Sequence, residues 1–448
     1  MSSVPPGWTS AAINEVGEVQ LGRQRSPEHH FGDHMRPYLR VANVFENRID
    51  LSDVLEMNFT PAEFERFALK FGDILLNEGQ SRELVGRPAM FRDDLPGVCF
   101  QNTLVRFRAG EAVVPAYALA VFRWFFRIGA FQRISKWSTN IAHLGAERFA
   151  ALEFPLPPLA EQKRIADKLD GLLGRLDTCR ERLDVVHGIV KRFRQSVLAA
   201  ATSGRLTEDW RSERGFDLGC WKSVGLSGIG ELGRGKSKHR PRNDQRLYGG
   251  PYPFIQTGAI AQSGGRIDHH EQTYSELGLA QSRLWPAETL CITIAANIAD
   301  TALLSYPACF PDSVVGFIAD EEQCLPEFVK WTIDVMSYEL NEFAPATAQK
   351  NINLNVLNEV RFQLPSLAEQ QLIVSRAKRL FALVDTLESR LTEARAQVER
   401  LTPALLAKAF RGELAPQDPN DEPADVLLQR LRDSNAAPAK SRRGRRAD

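Results

Sequence analysis

The sequence predicts a mixed α/β (α+β) fold in which two globular domains alternate with two long helices that pair as an antiparallel coiled coil. Between residues 165 and 197, apolar residues recur at alternating steps of four and three, the a/d seam of a coiled coil. The seam returns 208 positions later, and Leu-Pro-Pro-Leu-Ala-Glu-Gln at 156–162 is repeated as Leu-Pro-Ser-Leu-Ala-Glu-Gln at 364–370. Because the offset is constant and has no gap, we infer a duplication and expect a pseudo-twofold molecule.

Composition places the chain among ordinary soluble globular proteins. Its 448 residues are 43% hydrophobic and 25% charged, a length that suggests roughly two to four domains. No signal peptide is visible, and the apolar stretch 113–131 carries Pro115, Arg123 and Arg127, so we predict a buried helix and no membrane span. The six cysteines lack the spacing of a zinc site or a disulfide framework, which favours a reducing cytoplasm. Cys179 lies on the seam and is predicted to be a small core residue.

The chain divides into five segments. Residues 1–155 form the first globular domain, 156–210 the first long helix, 215–362 the second globular domain, 363–415 the second long helix, and 416–448 a basic tail that we expect to be disordered. Strands are predicted at 38–44, 73–76, 98–107, 253–257, 289–295 and 314–318. Helices are predicted at 115–131 and 327–343, followed by turns at 136–140 and 347–354. Pro403 is expected to kink or interrupt the second long helix.

The long helices predict a rigid spacer. A seam of about 33 residues at 1.5 Å per residue is a rod of roughly 50 Å. Gly171, Gly174 and Gly188 weaken the first helix by roughly 1 kcal/mol each relative to alanine, so we expect it to pair with its twin. Antiparallel pairing would place one globular domain at either end. That length matches about 15 base pairs of a duplex, so the geometry suits a DNA target with two separated half-sites.

One motif points to a different function. Residues 230–237, Gly-Glu-Leu-Gly-Arg-Gly-Lys-Ser, match the P-loop pattern of nucleotide-binding proteins. A P-loop needs a buried strand before it and a helix after it, whose N-terminus holds phosphate. Gly225 and Gly228 make the preceding stretch a poor buried strand, and Pro241 blocks a helix after the motif. We therefore reject an ATPase and predict a flexible basic loop that contacts DNA phosphates.

Other catalytic and metal-binding patterns are absent from the sequence. It contains no histidine pair at the helical spacing of a metal site and no Gly-x-Ser-x-Gly elbow. His29, His30, Asp33 and His34 could form a metal cluster, but a solvated basic loop is the better interpretation. We predict no metal site.

The order of domains and motifs resembles the specificity subunit of type I restriction–modification systems. The resemblance covers nearly the whole chain and rests on the two Leu-Pro-x-Leu-Ala-Glu-Gln helix starts. Residues 346–354 are also similar to the family's end-of-domain signature, which residues 138–144 match more loosely. The resemblance implies that residues 1–155 and 215–362 are target-recognition domains, each reading one half of a bipartite, asymmetric DNA site.

The resemblance also implies partners and cofactors. The paired helices would act as a ruler and dock two methyltransferase subunits, with Glu161, Gln162, Glu369 and Gln370 as candidate docking residues. Restriction–translocase subunits would complete the complex. Adenine methylation with S-adenosylmethionine and ATP-driven translocation and cleavage with Mg²⁺ would belong to those partners. The chain itself would be non-catalytic and would bind no cofactor.

Two basic windows lie at comparable places in the two globular domains, although the net charge of the whole chain is zero. Basic side chains contact phosphates, and amides pair with adenine edges. The candidates for phosphate contacts are Arg23, Arg25, Arg36, Arg40, Arg234, Lys236, Lys238, Arg240 and Arg242, with Lys136 and Lys350 as weaker ones. The candidates for base contacts are Asn43, Gln80, Arg82, Gln256 and Thr257. For each residue taken singly, an ordinary solvated side chain is the alternative.

A coiled-coil scaffold that joins protein partners without sequence-specific DNA binding is the alternative function. A scaffold predicts partner binding with no sequence preference, whereas a specificity subunit predicts salt-sensitive binding to a defined bipartite site. We favour the specificity subunit because a duplicated domain on a ruler suits a split DNA target.

Overall fold

A computed structural model describes residues 5–138, 140–238, 241, 244–294, 300–342 and 354–436 of the chain. The chain forms two compact units, Met1–Leu183 with Glu393–Asp448, and Asp184–Thr392. Each unit contains one globular head, one part of the first long helix and one part of the second. We call residues 5–156 head 1 and residues 215–364 head 2.

Head 1 is built on a four-stranded antiparallel sheet in the order Gly17–Leu21, Leu104–Ala109, Ile74–Asn77 and Pro88–Met90. Its long helix, Pro115–Arg127, is buried on all sides from Tyr117 to Arg123, and its Phe122 ring lies 5.1 Å from that of Phe107. The other strands are Thr9–Ala12, Met35–Leu39, Val44–Phe45, Arg48–Ile49, Leu55–Asn58, Gly79–Gln80, Cys99–Phe100, Lys136–Ser138, Ile141–His143 and Glu153–Leu156. The other helices are Ile13–Val16, Pro61–Phe67, Ala130–Ile134 and Ala146–Ala150.

Head 2 is built on a five-stranded sheet in the order Gly230–Arg234, Val314–Ala319, Leu290–Thr293, Thr301–Leu304 and Arg266–Ile267, of which the last pair is parallel. The other strands are Lys222–Val224, Tyr248–Phe254, Gln272–Tyr274 and Phe362–Leu364. The helices are Thr257–Gln262, Glu276–Ala280, Pro326–Glu342 and Leu354–Glu359, and Glu208–Ser212 leads into the head. The long helix of each head begins with proline, which fits the first turn because it lacks the N–H that would be unpaired there.

The two long helices each span 44 residues, Leu159–Thr202 and Leu367–Phe410. Gly204 and Gly412 follow them with φ of 78° and 73°, a left-handed conformation that ends helices and that glycine adopts without strain. In the first unit, Ile165 and Leu169 share a core with Leu406 and Phe410, while Arg180 Nε donates to Glu399 Oε1 at 2.7 Å. In the second unit, Val197 and Ala201 share a core with Ile373 and Ala377, while Arg194 pairs with Asp385 and Glu388. The helices therefore pair antiparallel within each unit.

Most predicted elements are confirmed with shifted ends. The strands predicted at 73–76 and 314–318 and the helices predicted at 115–131 and 327–343 are present, although Gly129 divides the first helix from Ala130–Ile134. The stretch 98–107 forms two strands instead of one. The strand predicted at 253–257 spans Tyr248–Phe254, and Thr257 begins a helix. The turn predicted at 347–354 lies outside the described residues except for its last residue.

Two predictions about the long helices need correction. The second helix continues through Pro403, so the predicted interruption is wrong, while the predicted kink stays a prediction. Its neighbours Thr402 and Leu406 are buried, so tertiary packing outweighs the backbone hydrogen bond that proline removes. Cys179 is exposed instead of buried. The seam is not covered along its whole length, because Val186 and Phe193 are also exposed.

Two predictions outside the long helices are also wrong. In the turn predicted at 136–140, Lys136–Ser138 is a strand that forms a hairpin with Ile141–His143. In the tail predicted to be disordered, Ala424–Ala436 is a helix. Its apolar residues recur at helical spacing, and Leu427 and Leu428 are buried in the core of the first unit.

Candidate nucleic-acid interface

Two predicted DNA contacts of head 1 are internal residues, and we correct both predictions. Arg23 is buried, its Nε donates to Glu63 Oε1 at 2.8 Å, and its Nη1 donates to the Asn58 carbonyl oxygen at 2.6 Å. Asn43 is buried as well, and its Nδ2 donates to the carbonyl oxygens of Asp50 and Asp53, each at 2.9 Å. These side chains use their donors to hold loops inside the head.

Three other arginines of this basic window lie at or near the surface. Arg25 and Arg36 are exposed, with the Arg25 Nε 3.2 Å from His30 Nε2 and the Arg36 guanidinium over the Phe64 ring. Arg40 is half-buried and forms an ion pair of 2.5 Å with exposed Asp53. Because an exposed ion pair is worth at most about 1 kcal/mol, Arg40 remains available to a phosphate. Arg25, Arg36 and Arg40 therefore stay candidates.

A hairpin brings a second group of predicted residues together in head 1. The strand Ile141–His143 pairs with Gly79–Gln80, so the hairpin of 136–143 lies beside the loop that contains Gln80 and Arg82. The Arg82 guanidinium lies over the Trp137 ring, 5.6 Å from its centroid. Trp137 is 53% exposed, and Lys136 next to it is also exposed. An exposed aromatic ring with a cation beside it can stack on a base while the cation contacts a phosphate.

The P-loop-like motif of head 2 does not have the geometry of a nucleotide-binding P-loop. Its residues Gly230–Arg234 form an edge strand that pairs with Val314–Ala319, and the sequence continues into a loop instead of a helix. The rejection of a nucleotide site is therefore supported, and the prediction of a flexible loop is wrong for the strand residues. Arg234 donates to the carbonyl oxygen of Asp312, and Lys236 and Lys238 are exposed. Arg240, Arg242 and Lys350 lie outside the described residues.

The predicted base contacts of head 2 border a cavity. Gln256 is exposed at the N-cap of the helix Thr257–Gln262, and Thr257 is half-buried behind it. The Gln256 Nε2 donates to Gln272 Oε1 at 2.6 Å. Both glutamines line a cavity of about 280 Å³, together with the basic residue Arg266. Gln272 was missed from the sequence because it lies 16 residues from Gln256, and only strand pairing brings them together.

Gln162 and Gln370, predicted to dock partners, are fully buried and join each long helix to its own head. Gln162 Oε1 accepts from the Val114 N–H at 2.9 Å, and its Nε2 donates to the carbonyl oxygens of Ala112 and Pro157. Gln370 repeats the three bonds with Leu325, Gln323 and Pro365. We therefore correct this prediction, because the amides complete an internal hydrogen-bond network and are not on the surface.

Glu161 and Glu369 are also buried, which corrects their predicted docking role, but their surroundings differ. Glu369 forms an ion pair with buried Arg211 and accepts from Trp221 Nε1 at 3.0 Å. Glu161, its repeat equivalent, lies near Trp8, yet its Oε1 and the Trp8 Nε1 are buried without a hydrogen bond. Burial raises the pKa of Glu161, and the nearby Trp8 indole and the charge of Arg164 offset only part of that rise. The repeat therefore places a glutamate at both positions, but among the described residues only Glu369 forms a direct ion pair with an arginine.

Several cysteine thiols are buried inside the two heads. Burial raises the pKa of the Cys99 and Cys324 thiols to about 12 and also raises that of Cys291, so these thiols stay protonated and unreactive. Across the part of the chain that the structure describes, no group of three or more His, Cys, Asp or Glu residues is arranged to hold a metal ion. No described helix is long and apolar enough to cross a membrane.

Comparisons with known proteins agree with this arrangement. A family model described as type I restriction modification DNA specificity domain matches residues 5–186 and 220–395. The StySPI type I restriction enzyme specificity subunit of Salmonella potsdam is 28% identical, over 97% of this chain and 96% of that protein. The EcoBI specificity subunit of Escherichia coli is 31% identical, over 67% of this chain and 68% of that protein.

The fold is also similar to that of solved structures. A chain from a structure concerning complex assembly and conformational transition of the type I R-M system superposes with a TM-score of 0.69. The two sequences are 19% identical, and the match covers 92% of this chain and all of the other chain. The similarity is therefore one of fold. Because the family model matches two segments that together exceed half of the sequence, this chain belongs to the family of type I restriction–modification specificity subunits.

Proposed function

We propose that this chain is the DNA-recognition subunit of a type I restriction–modification complex and that its two heads read the two halves of a bipartite, asymmetric target. The observation that carries this proposal is a repeated framework with unlike surfaces. The glutamine network of Gln162 recurs bond for bond at Gln370. The candidate DNA contacts do not recur, since head 1 presents Trp137 with Arg82 and head 2 presents Gln256 with Gln272. Two heads that carry different DNA-contact residues on a repeated framework suit a bipartite target whose two halves differ in sequence.

We also propose that the long helices dock two methyltransferase subunits through apolar residues left exposed. In the second unit, seam positions Val186, Phe193 and Leu387 are exposed, as are Val185 and Ile189. Apolar residues at helical spacing on an uncovered face form a patch of the kind that binds proteins. This patch replaces the buried Glu161, Gln162, Glu369 and Gln370 as the candidate docking surface.

In this proposal the chemistry belongs to the partners. The methyltransferase subunits would transfer a methyl group from S-adenosylmethionine to adenine, and restriction subunits would use ATP and Mg²⁺ for translocation and cleavage. This chain would act in the cytoplasm, select the DNA and hold the partners, without catalytic residues of its own. The alternative is a coiled-coil scaffold that binds protein partners and ignores DNA sequence.

Adenine-methylation mapping tests the proposal. The chain is expressed with its methyltransferase, and methylated adenines are mapped across the host DNA. We expect a motif in two halves separated by a constant spacer. Replacing residues 1–155 by the corresponding domain of a relative should change one half, and replacing 215–362 should change the other. Methylation at unsplit sites, or a motif that ignores both replacements, would favour the scaffold.

A further inference from the structure

The cavity of head 2 is bordered by side chains suited to reading a base. It measures about 280 Å³ and is lined by the amides of Gln256, Gln262 and Gln272 and by the basic side chains of Arg266, His269 and His270. Gln256 and Gln272 are exposed at its border. Polar donors and acceptors at an exposed edge can reach a base without the head having to rearrange.

Rigid elements hold the two glutamines. The strands Tyr248–Phe254 and Gln272–Tyr274 pair with Phe254 opposite Gln272. The Phe254 and Tyr274 rings stack at 4.0 Å between centroids, and the Tyr274 side chain is buried. Gln256 lies two residues beyond the first strand, at the start of a helix. Both amides are therefore placed by paired strands and packed rings, as a precise binding site requires.

Their mutual hydrogen bond determines what they offer a ligand. The Gln256 Nε2 donates to the Gln272 Oε1 at 2.6 Å. Within the described residues, the Gln256 Oε1 and the Gln272 Nε2 make no other hydrogen bond, so the pair leaves one amide oxygen that can accept and one amide nitrogen that can donate. If both amides are turned over, the pair still presents one of each. The major-groove edge of adenine needs this combination, since its N6 amino group donates and its N7 accepts. Guanine presents two acceptors and requires two donors.

Phosphate-binding groups lie beside the same strands. The hydroxyl of Ser237 is close to Tyr274, and the Ser282 Oγ donates to the Lys236 carbonyl oxygen at 3.0 Å. Exposed Lys236 and Lys238 are therefore placed next to the strand that carries Gln272. Phosphate contacts position a protein on DNA, and base contacts then specify the sequence.

We infer that Gln256 and Gln272 act as one unit that reads a single adenine in the half-site of head 2. The inference rests on the proposed function, because it assigns a base to a head already proposed to read DNA. It adds that two amides from different strands share one base. Removal of either glutamine should therefore relax the same position of the target.

The test uses the complete complex of this chain with its methyltransferase subunits. Binding to the duplex target is measured while each A·T pair in the half-site of head 2, other than the methylated adenine, is replaced in turn. We expect the wild-type complex to prefer adenine at one position by roughly 5- to 150-fold. In both Gln272→Ala and Gln256→Ala, the preference should fall to about twofold or less at that position alone.

Gln363→Ala is the matched control, because Gln363 is an exposed glutamine on a strand at the base of the same head. It should keep every preference. If Gln256→Ala and Gln272→Ala keep all preferences, or relax different positions, the inference is overturned while the bipartite target stands. If the wild-type complex has no bipartite target, the proposed function fails, and this outcome is separate because it does not depend on either glutamine.

Discussion

The buried ion pair of Arg211 and Glu369 makes a strong prediction about stability. Both side chains are nearly inaccessible, at 5% and 4% exposed. Arg211 donates to Glu369, to the Thr207 Oγ1 at 3.0 Å and to the Gly204 carbonyl oxygen at 2.5 Å. The change Arg211→Ala removes all three hydrogen bonds. The Glu369 carboxylate then stays buried with hydrogen bonds from the Thr207 Oγ1 and the Trp221 Nε1 but without a counter-charge. This contact joins the segment that follows the first long helix to the start of the second.

The expected cost is large because the remaining carboxylate loses its counter-charge. Breaking a buried pair by removing one partner costs about 3–5 kcal/mol, against about 5–15 kcal/mol for the whole free energy of unfolding. We therefore expect Arg211→Ala to lower the free energy of unfolding of the second unit by about 3–5 kcal/mol at pH 7.5.

Hydrogen–deuterium exchange of the full chain at increasing urea concentrations measures the stability of each unit separately. Peptides that contain Trp221 or Glu369 should lose protection, while peptides of head 1 should keep it. Arg192→Ala is the control, because Arg192 is an exposed arginine on the first long helix and should change stability by about 0.5 kcal/mol or less. The double change Arg211→Met with Glu369→Gln should recover part of the loss. A loss below about 1 kcal/mol in Arg211→Ala would refute the reasoning.

Three further predictions concern head 1 and its unit. Gln162→Ala should lower the unfolding free energy of the first unit by about 1–3 kcal/mol, because it leaves a buried backbone N–H and carbonyl unpaired, and exchange at 112–114 measures it. Glu161→Gln should stabilise that unit at pH values above 4.5, the ordinary pKa of glutamate, and have no effect at lower pH. The reason is that the pKa of Glu161 is raised in the folded unit, so ionisation of the buried carboxylate lowers stability as the pH rises. The free energy of unfolding measured from pH 4 to 8 tests this. Trp137→Ala should weaken binding of the complex to duplex DNA by roughly 5- to 150-fold, through the half-site of head 1.

Each of these three predictions has its own control and its own result that would contradict it. Gln363→Ala, an exposed glutamine, should leave both units unchanged, and an equally mild Gln162→Ala would contradict the buried network. A Glu161→Gln difference that grows toward acid pH would have the wrong sign. Phe31→Ala removes a ring that is 84% exposed elsewhere on head 1, and if it weakens binding as much as Trp137→Ala, the hairpin has no special role.

The sequence alone determined the large organisation of this protein. The repeat at a constant offset of 208 residues predicted two long helices and two heads. An apolar seam at helical spacing can be recognised in a sequence even when the element that packs against it is unknown. Pro241 argued against a helix after the P-loop-like motif, since the effect of proline on a helix is local. Family membership also followed from contiguous motifs, and the family match confirms it.

The tertiary structure alone decided which polar side chains face inward. Arg23 looked like a phosphate contact until the fold placed Glu63 beside it, 40 residues away in sequence. Gln162 looked like a docking residue, yet its partner at Val114 is 48 residues distant. The pair of Gln256 with Gln272 likewise exists only because two strands align. Apolar periodicity records which face of an element is buried, whereas the partner of a polar side chain depends on contacts between elements that no local pattern encodes.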